Sequence, residues 1–176
     1  MKKEPVIFTI GHSTRSIEDF IIVLNAHKIE EVADVRTIPR STHNPQFNSE
    51  VLSGSLRNAG IGYLHMKGLG GFRHSVKDSP NGGWRNLSFR GFADYMQTEE
   101  FWENIEKLIM IAGEKRLSVM CAEAVPWRCH RSLIADALSV RKIEVVHISS
   151  GIACHPHTLT SFARTRGIRI TYPPIA

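Results

Sequence analysis

Leu117-Ser118-Val119-Met120-Cys121-Ala122-Glu123-Ala124-Val125-Pro126-Trp127-Arg128-Cys129-His130-Arg131-Ser132-Leu133-Ile134-Ala135-Asp136-Ala137-Leu138 decides the fold. It begins with an apolar run of strand length, crosses a turn at Pro126 and ends in a helix-like stretch. A buried strand feeding a helix is the repeating unit of α/β folds. The turn carries two thiols, a carboxylate, an imidazole and two guanidiniums. Reactive groups packed between a strand end and a helix start are costly to place unless something binds there. In open α/β sheets, ligands sit outside the carboxyl ends of the strands, where helix N-termini also point. The stretch therefore gives the address of a site, not its reaction.

The same alternation runs outward from it. Val6-Ile7-Phe8-Thr9-Ile10 reads as a buried first strand ended by Gly11. Ser16 has the character of an N-cap, with Asp19 three residues on and Ile17, Phe20, Ile21 and Leu24 at helical spacing. Val32-Ala33-Asp34-Val35-Arg36 reads as a second strand, followed by a polar loop with Pro39, Asn44 and Pro45. Asn48 is placed to cap a helix carrying Val51, Leu52, Leu56 and Ala59, which Gly60 ends. Ile61 to His65 is the third strand. A Gly-rich segment, Lys67 to Gly91, reads as one long central loop; loops of that length are usually functional or mobile. Helical spacing returns from Phe92 to Ala112 as two helices meeting near Thr98. Leu117 to Met120 is the fourth strand, Cys129 to Ser139 a helix, and Ile143 to Ile148 the fifth strand. A short run, Ile168 to Tyr172, precedes Pro173. The pattern predicts a single α/β domain over residues 1–176, with a mostly parallel central sheet flanked by helices.

An apolar fraction of 42% and a charged fraction of 22% suit a soluble globular chain. The first apolar run is too short for a signal-peptide core or a membrane span. Three cysteines, without a disulfide-like framework, fit a reducing compartment, so a cytoplasmic location and no membrane partner are expected. The net charge of +5 is unevenly spread. Arg36 to Arg90 holds eight Lys or Arg against Glu50 and Asp78, a net +6, which leaves the rest near neutral at −1. Such clustering favours an anionic partner: a small anion, a nucleotide or a nucleic acid. A solvated basic surface is the plain alternative.

Parallel strands point their carboxyl ends the same way, so several polar clusters share one edge. His12 and Ser13 follow the first strand, Asp34 and Arg36 close the second, His65 closes the third, and Cys121 and Glu123 leave the fourth. Asp34 and Arg36, two apart, also suit a simple salt bridge. Arg85 and Arg90, interleaved with Trp84 and Phe89, match what base stacking and phosphate pairing require, or an aromatic anchor for the loop.

Four chemistries remain open for the cysteine cluster. Cys121 in the strand-to-helix turn suits a thiolate nucleophile, its pKa lowered by a helix N-terminus and by Arg128 or Arg131. Phosphatase loops place five residues between Cys and Arg, whereas six separate Cys121 from Arg128. Cys121, Cys129 and His130, with His12 or His65, make a possible soft metal set, and Cys154, His155 and His157 a second one. Glu123 with His12 or His130 suits acid/base work on an anion held by arginines, with the cysteines as packing. The fourth option is a non-catalytic nucleotide or nucleic-acid pocket.

Thr9-Ile10-Gly11-His12-Ser13-Thr14, Asp34-Val35-Arg36-x-x-Pro39-Arg40-Ser41, Asn44-Pro45-x-Phe47-Asn48, Leu69-Gly70-Gly71, Gly83-Trp84-Arg85-Asn86, Phe89-Arg90-Gly91 and Cys121-Ala122-Glu123 through Cys129-His130-Arg131 occur in this order. In these motifs the chain resembles the bacterial domain-of-unknown-function family 488 along nearly its whole length. The resemblance implies no established reaction. It singles out His12, Ser13, Asp34, Arg36, Cys121, Glu123, Cys129, His130 and Arg131.

The expectation is an enzyme, a transferase or hydrolase, acting on a phosphate-bearing or nucleotide-like substrate. His12, Cys121, Glu123 and His130 are the catalytic candidates. Ser13, Asp34, Arg36, Arg85, Arg90, Arg128 and Arg131 are the binding candidates. The residues name no cofactor and no metal. The alternative is a nucleic-acid-binding module using segment 36–90.

Overall fold

A computed structural model describes residues 4–176. The chain runs β1 (Val6–Gly11), α1 (Ile17–Ala26), β2 (Glu31–Asp34), α2 (Ser49–Asn58), β3 (Gly62–His65), α3 (Leu87–Tyr95), α4 (Glu99–Glu114), β4 (Leu117–Cys121), α5 (Arg131–Ser139) and β5 (Glu144–Ile148). Three short strands follow: β6 (Cys154–Pro156), β7 (Arg164–Arg166) and β8 (Arg169–Thr171). The main sheet has six strands in the order β3-β2-β4-β1-β5-β6. All neighbours are parallel except β5 and β6; β7 and β8 form a separate antiparallel pair.

Alternation along each strand sorts side chains between two cores. Phe8, Ile10, Val32 and Met120 meet Phe20, Leu24, Leu52 and Leu56 of α1 and α2 on one face. Ile7, Ala33, Leu117 and Val119 meet Phe92, Ile105, Leu108, Leu133 and Ala137 of α3, α4 and α5 on the other. The two directions of travel from the middle of the sheet thus put helices on opposite faces, as right-handed crossovers demand. β1 and β2 both leave toward α1 and α2, while β4, lying between them, leaves toward α5. A strand that departs against both neighbours opens a crevice at its carboxyl end, the switch point of a doubly wound sheet.

Local chemistry explains the element ends. Ser16 Oγ accepts the Asp19 N–H at 3.1 Å, and Gly60, at φ 76°, takes the left-handed turn after α2. Asn48 precedes α2, but its Oδ1 accepts from Ser41 N at 2.8 Å and so caps the preceding loop rather than the helix. Thr98 separates α3 from α4 and accepts the Phe101 N–H.

The central segment differs from the expected loop. Helix α3 begins at Leu87, not Phe92, because Asn86 Oδ1 accepts the N–H groups of both Ser88 and Phe89. Its first turn carries exposed Leu87 and Ser88, so no apolar period marks it in the sequence. Residues 70–86 hold no helix or strand. No helix among the described residues is long and apolar enough to cross a membrane.

Candidate functional site

The crevice is assembled by the segment leaving β4. Its backbone keeps pairing beyond the sheet: His12 N–H donates to Cys121 O at 2.9 Å, Ser13 N–H to Ala122 O at 3.0 Å and Val35 N–H to Met120 O at 3.0 Å. The segment then passes so close over β1 that a Cβ at Gly11 would lie 1.8 Å from Glu123 O. Glycine is the one residue that allows this crossing. Ser13, next in line, sits at φ 50°, a left-handed conformation that costs a non-glycine residue about 1 kcal/mol or more and often marks functional turns.

At this point lies a cavity of about 350 Å³. Cys121, Glu123, Arg128, Cys129 and His130 line it from the β4–α5 segment, Arg36 and Arg40 from the segment after β2, and Ser88 and Phe89 from α3. Arg40, Glu123 and Arg128 are exposed at the rim, while Cys121 and Cys129 form the floor. Exposed Ile38 and Phe72 add an apolar lip.

Cys129 carries the most activated chemistry. Its Sγ accepts the Arg131 N–H at 3.4 Å, at the start of α5, and lies 3.5 Å from His130 Nδ1. His130 Nε2 donates to Val35 O at 3.0 Å, which turns Nδ1 toward the sulfur. The ring fits there because position 71 is glycine; a Cβ would meet Nδ1 at 2.8 Å. Cys121 Sγ stands 2.7 Å from Cys129 Sγ. Burial opposes ionisation of both thiols. At Cys129 the hydrogen bonds from Cys121 and His130 and the charges of His130 and Arg131 outweigh it and hold the thiol well below its ordinary value. At Cys121 burial, reinforced by the neighbouring sulfur, pushes the thiol up. The hydrogen-bond donors thus gather at Cys129, whereas the sequence drew attention to Cys121 as a possible nucleophile.

Beside the floor lies a closed network. Arg36 donates to Asp34 through Nε (2.9 Å to Oδ1) and Nη2 (2.7 Å to Oδ2), and Nη2 also reaches Phe47 O. Tyr63 donates its hydroxyl to Asp34 Oδ2 at 2.6 Å; burial and the Asp34 charge raise its pKa. His65 Nε2 donates to Arg36 O. His12 is buried, stacked on Phe47 with ring centroids 4.2 Å apart, and its Nδ1 donates to Ser13 O. That leaves Nε2 as the acceptor facing Arg36 Nη1 at 3.4 Å. Burial, aided by Arg36, lowers its pKa to about 4, so His12 stays neutral near pH 7.

The sequence candidates thus divide. Cys121, Glu123, His130, Arg36 and Arg128 meet at one cavity. Ser13 joins its frame through the backbone, and Asp34 supports Arg36 from below. His12 is buried behind Arg36 and does not line the cavity. Arg131 is fully buried: Nη1 donates to Thr9 Oγ1 at 3.1 Å and Nη2 to Glu123 O at 2.7 Å, so it ties the β4 exit rather than facing a ligand. Arg85 is exposed away from the cavity, and Arg90 Nε donates to Trp84 O. Neither imagined metal set assembles. His12 and His65 point at Arg36, His157 Nε2 donates to Asp136, and among the described residues no group of three or more His, Cys, Asp or Glu is arranged to hold a metal.

The model of a family described as Domain of unknown function DUF488 matches residues 16–138. The chain belongs to this family. No curated protein and no solved structure matches it. The matched range runs from the cap of α1 to the end of α5 and contains Asp34, Arg36, Cys121, Glu123, Cys129, His130 and Arg131. The Gly11-His12-Ser13 turn falls just before it, and β5 to β8 lie beyond it. The DUF488 segment thus carries the whole lining of the crevice, and β1 and β5 complete the sheet beneath.

A second network joins residues that sequence reasoning did not connect. Arg131 Nη1 donates to Thr9 Oγ1, Thr9 to His147 Nδ1 at 2.6 Å, His147 Nε2 to His157 Nδ1 at 2.8 Å, and His157 Nε2 to Asp136 Oδ1 at 2.7 Å. Every donor points from the guanidinium toward the carboxylate. The signal for it was His147, a polar residue at an interior position of a strand of β-branched residues.

Proposed function

We propose that this chain is an enzyme, a transferase or hydrolase, that attacks a phosphate-bearing or nucleotide-like substrate with the Cys129 thiolate. One observation carries the reading: Cys129 Sγ sits at the N-terminus of α5 on the cavity floor, against an imidazole oriented by Val35 O. Nucleophile, base and orienting group in hydrogen-bond series are the recurring arrangement of covalent catalysis. Arg40 and Arg128 at the rim suit an anion, while Ile38 and Phe72 suit a flat apolar group attached to it. In the proposed step the sulfur bonds to the electrophilic phosphorus as the bond to the leaving oxygen breaks, and that oxygen takes the proton that His130 received from Cys129. Water or an acceptor hydroxyl, giving its proton to His130, then displaces the sulfur. The three free cysteines support a reducing, cytoplasmic setting.

The nucleic-acid-binding alternative draws less support. Arg36 is held in its ion pair, Arg73 lies 3.6 Å above the Tyr95 ring, and Arg90 bonds the Trp84 carbonyl. Arg57 lies on α2 and Arg85 just before α3, helices that pack on opposite faces of the sheet.

Alkylation kinetics test the reading. Iodoacetate, an anion, should modify Cys129 faster relative to iodoacetamide than it modifies exposed Cys154, and adenosine monophosphate or inorganic phosphate should protect. Arg40→Ala with Arg128→Ala should abolish the anionic preference. Modification confined to Cys154, with no protection, counts against the thiolate enzyme. Retention on nucleic acid at low salt with a steep salt dependence would instead favour the binding module.

A further inference from the structure

We propose that Cys129 and Cys121 form a peroxide-sensitive disulfide site, in which Cys129 is oxidised first and Cys121 resolves it. The two sulfurs stand 2.7 Å apart at the end of β4 and the start of the α5 turn, both on the cavity floor. The third cysteine, Cys154, is exposed on β6 at the sheet edge and takes no part. A pair of buried thiols used only as packing needs neither a cavity nor hydrogen-bond donors aimed at one sulfur. Here Cys129 Sγ accepts the Arg131 N–H and faces His130 Nδ1, while the cavity admits a molecule as small as hydrogen peroxide.

The chemistry balances with a hydroperoxide as oxidant. The Cys129 thiolate attacks one peroxide oxygen; the S–O bond forms, the O–O bond breaks, and the departing hydroxide takes a proton to leave as water. Cys121 sulfur then attacks the sulfenic sulfur. The S–S bond forms, the S–O bond breaks, and a second water leaves with the Cys121 proton. Two thiols lose two electrons and the peroxide gains them. A thiol reductant reverses the change by exchange at the disulfide. Because Cys129 is also the proposed nucleophile, its oxidation removes the thiolate from the crevice. The disulfide itself does not depend on what substrate, if any, that thiolate attacks.

The test uses the whole chain, reduced, freed of reductant and treated with an equimolar amount of hydrogen peroxide. Intact mass and alkylation under denaturing conditions follow the three thiols. The expected product has lost two hydrogens and keeps one alkylatable thiol, Cys154. Trypsin should release residues 117–128 linked to residues 129–131. Oxidation of the pair should run about tenfold faster than that of Cys154, and dithiothreitol should restore all three thiols. Oxygen addition at Cys129 with Cys121 still alkylatable overturns the proposal. A dimer linked through Cys154 as sole product overturns it too. A Cys121→Ser variant supplies the second measurement: with two or more equivalents of peroxide it should accumulate sulfinic acid at Cys129 while the parent stops at the disulfide. Equal sulfinic acid in both proteins denies Cys121 the resolving role. Because these readouts are masses and thiol counts, failure here is separate from failure of the proposed enzymatic activity.

Discussion

Asp34 and Arg36 grip each other fork to fork, shut away from water, at the edge of the crevice. Arg36 Nη2 also donates to Phe47 O, and Nη1 faces His12 Nε2. The guanidinium is thus fixed in plane and position by three partners, and it frames the wall of the crevice.

Removing one partner of that pair strands the other. Asp34→Asn should cost about 3–5 kcal/mol of unfolding free energy, because a buried guanidinium then lacks its counter-charge. The double variant Asp34→Asn with Arg36→Met should recover part of the loss. Urea unfolding of the three proteins checks this, and a loss below about 1 kcal/mol would mean that the pair is far more hydrated than its burial implies.

Acid should destabilise the protein through its buried histidines. Burial, with smaller contributions from neighbouring positive groups, lowers His147 from 6.5 to about 3, as it lowers His12 to about 4. The unfolded chain therefore binds protons that the folded one refuses. The stability these groups contribute is complete above about pH 6.5 and falls as pH drops through the window toward 4. Two protons correspond to a slope of up to about 2.7 kcal/mol per pH unit. His12→Gln and His147→Gln should each remove roughly one proton from that slope in urea titrations between pH 7.5 and 4.5. Unchanged slopes would place the protons elsewhere.

Gly11 and Gly54 make a contrasting pair. Alanine at Gly11 collides with the Glu123 carbonyl and should cost about 1–3 kcal/mol while altering Cys129 alkylation. Alanine at Gly54, inside α2 and facing open space, should stabilise by up to about 1 kcal/mol. Thermal melts separate the two, and equal effects would contradict the close crossing.

His130 should govern the ionisation of Cys129 and leave Cys154 alone. His130→Ala should move the pH profile of Cys129 alkylation upward by about one unit, with the Cys154 profile fixed. Residue-resolved mass spectrometry gives both profiles from one sample. A joint shift of the two would point to a general structural change.

The layered fold was legible because buried parallel strands read as short apolar runs and the helices keep their period. Ser16, Gly60 and Thr98 mark their element ends through local hydrogen bonds that sequence spacing records. The convergence at the strand ends was also legible, since parallel strands share a direction. Which sulfur collects the hydrogen-bond donors was not. That depends on Gly71 making room for the His130 ring and on the Val35 carbonyl turning it, both distant in sequence. Arg131 misled for a related reason: its partners are backbone carbonyls and Thr9, which no charge pattern announces. The strands β6, β7 and β8 are three residues long, too short for alternation to register.

Tyr172 receives its position from three places at once. Its N–H donates to Asn81 Oδ1, its carbonyl accepts the Gly83 N–H, and its hydroxyl donates to Asp136 Oδ2. Asn81 in turn holds Asp94 of α3. The end of the chain, outside the range of the DUF488 match, is thereby the latch that seats the 70–86 segment against α3 and α5. Shortening the protein to the matched range alone would free that segment and leave one wall of the crevice unhinged.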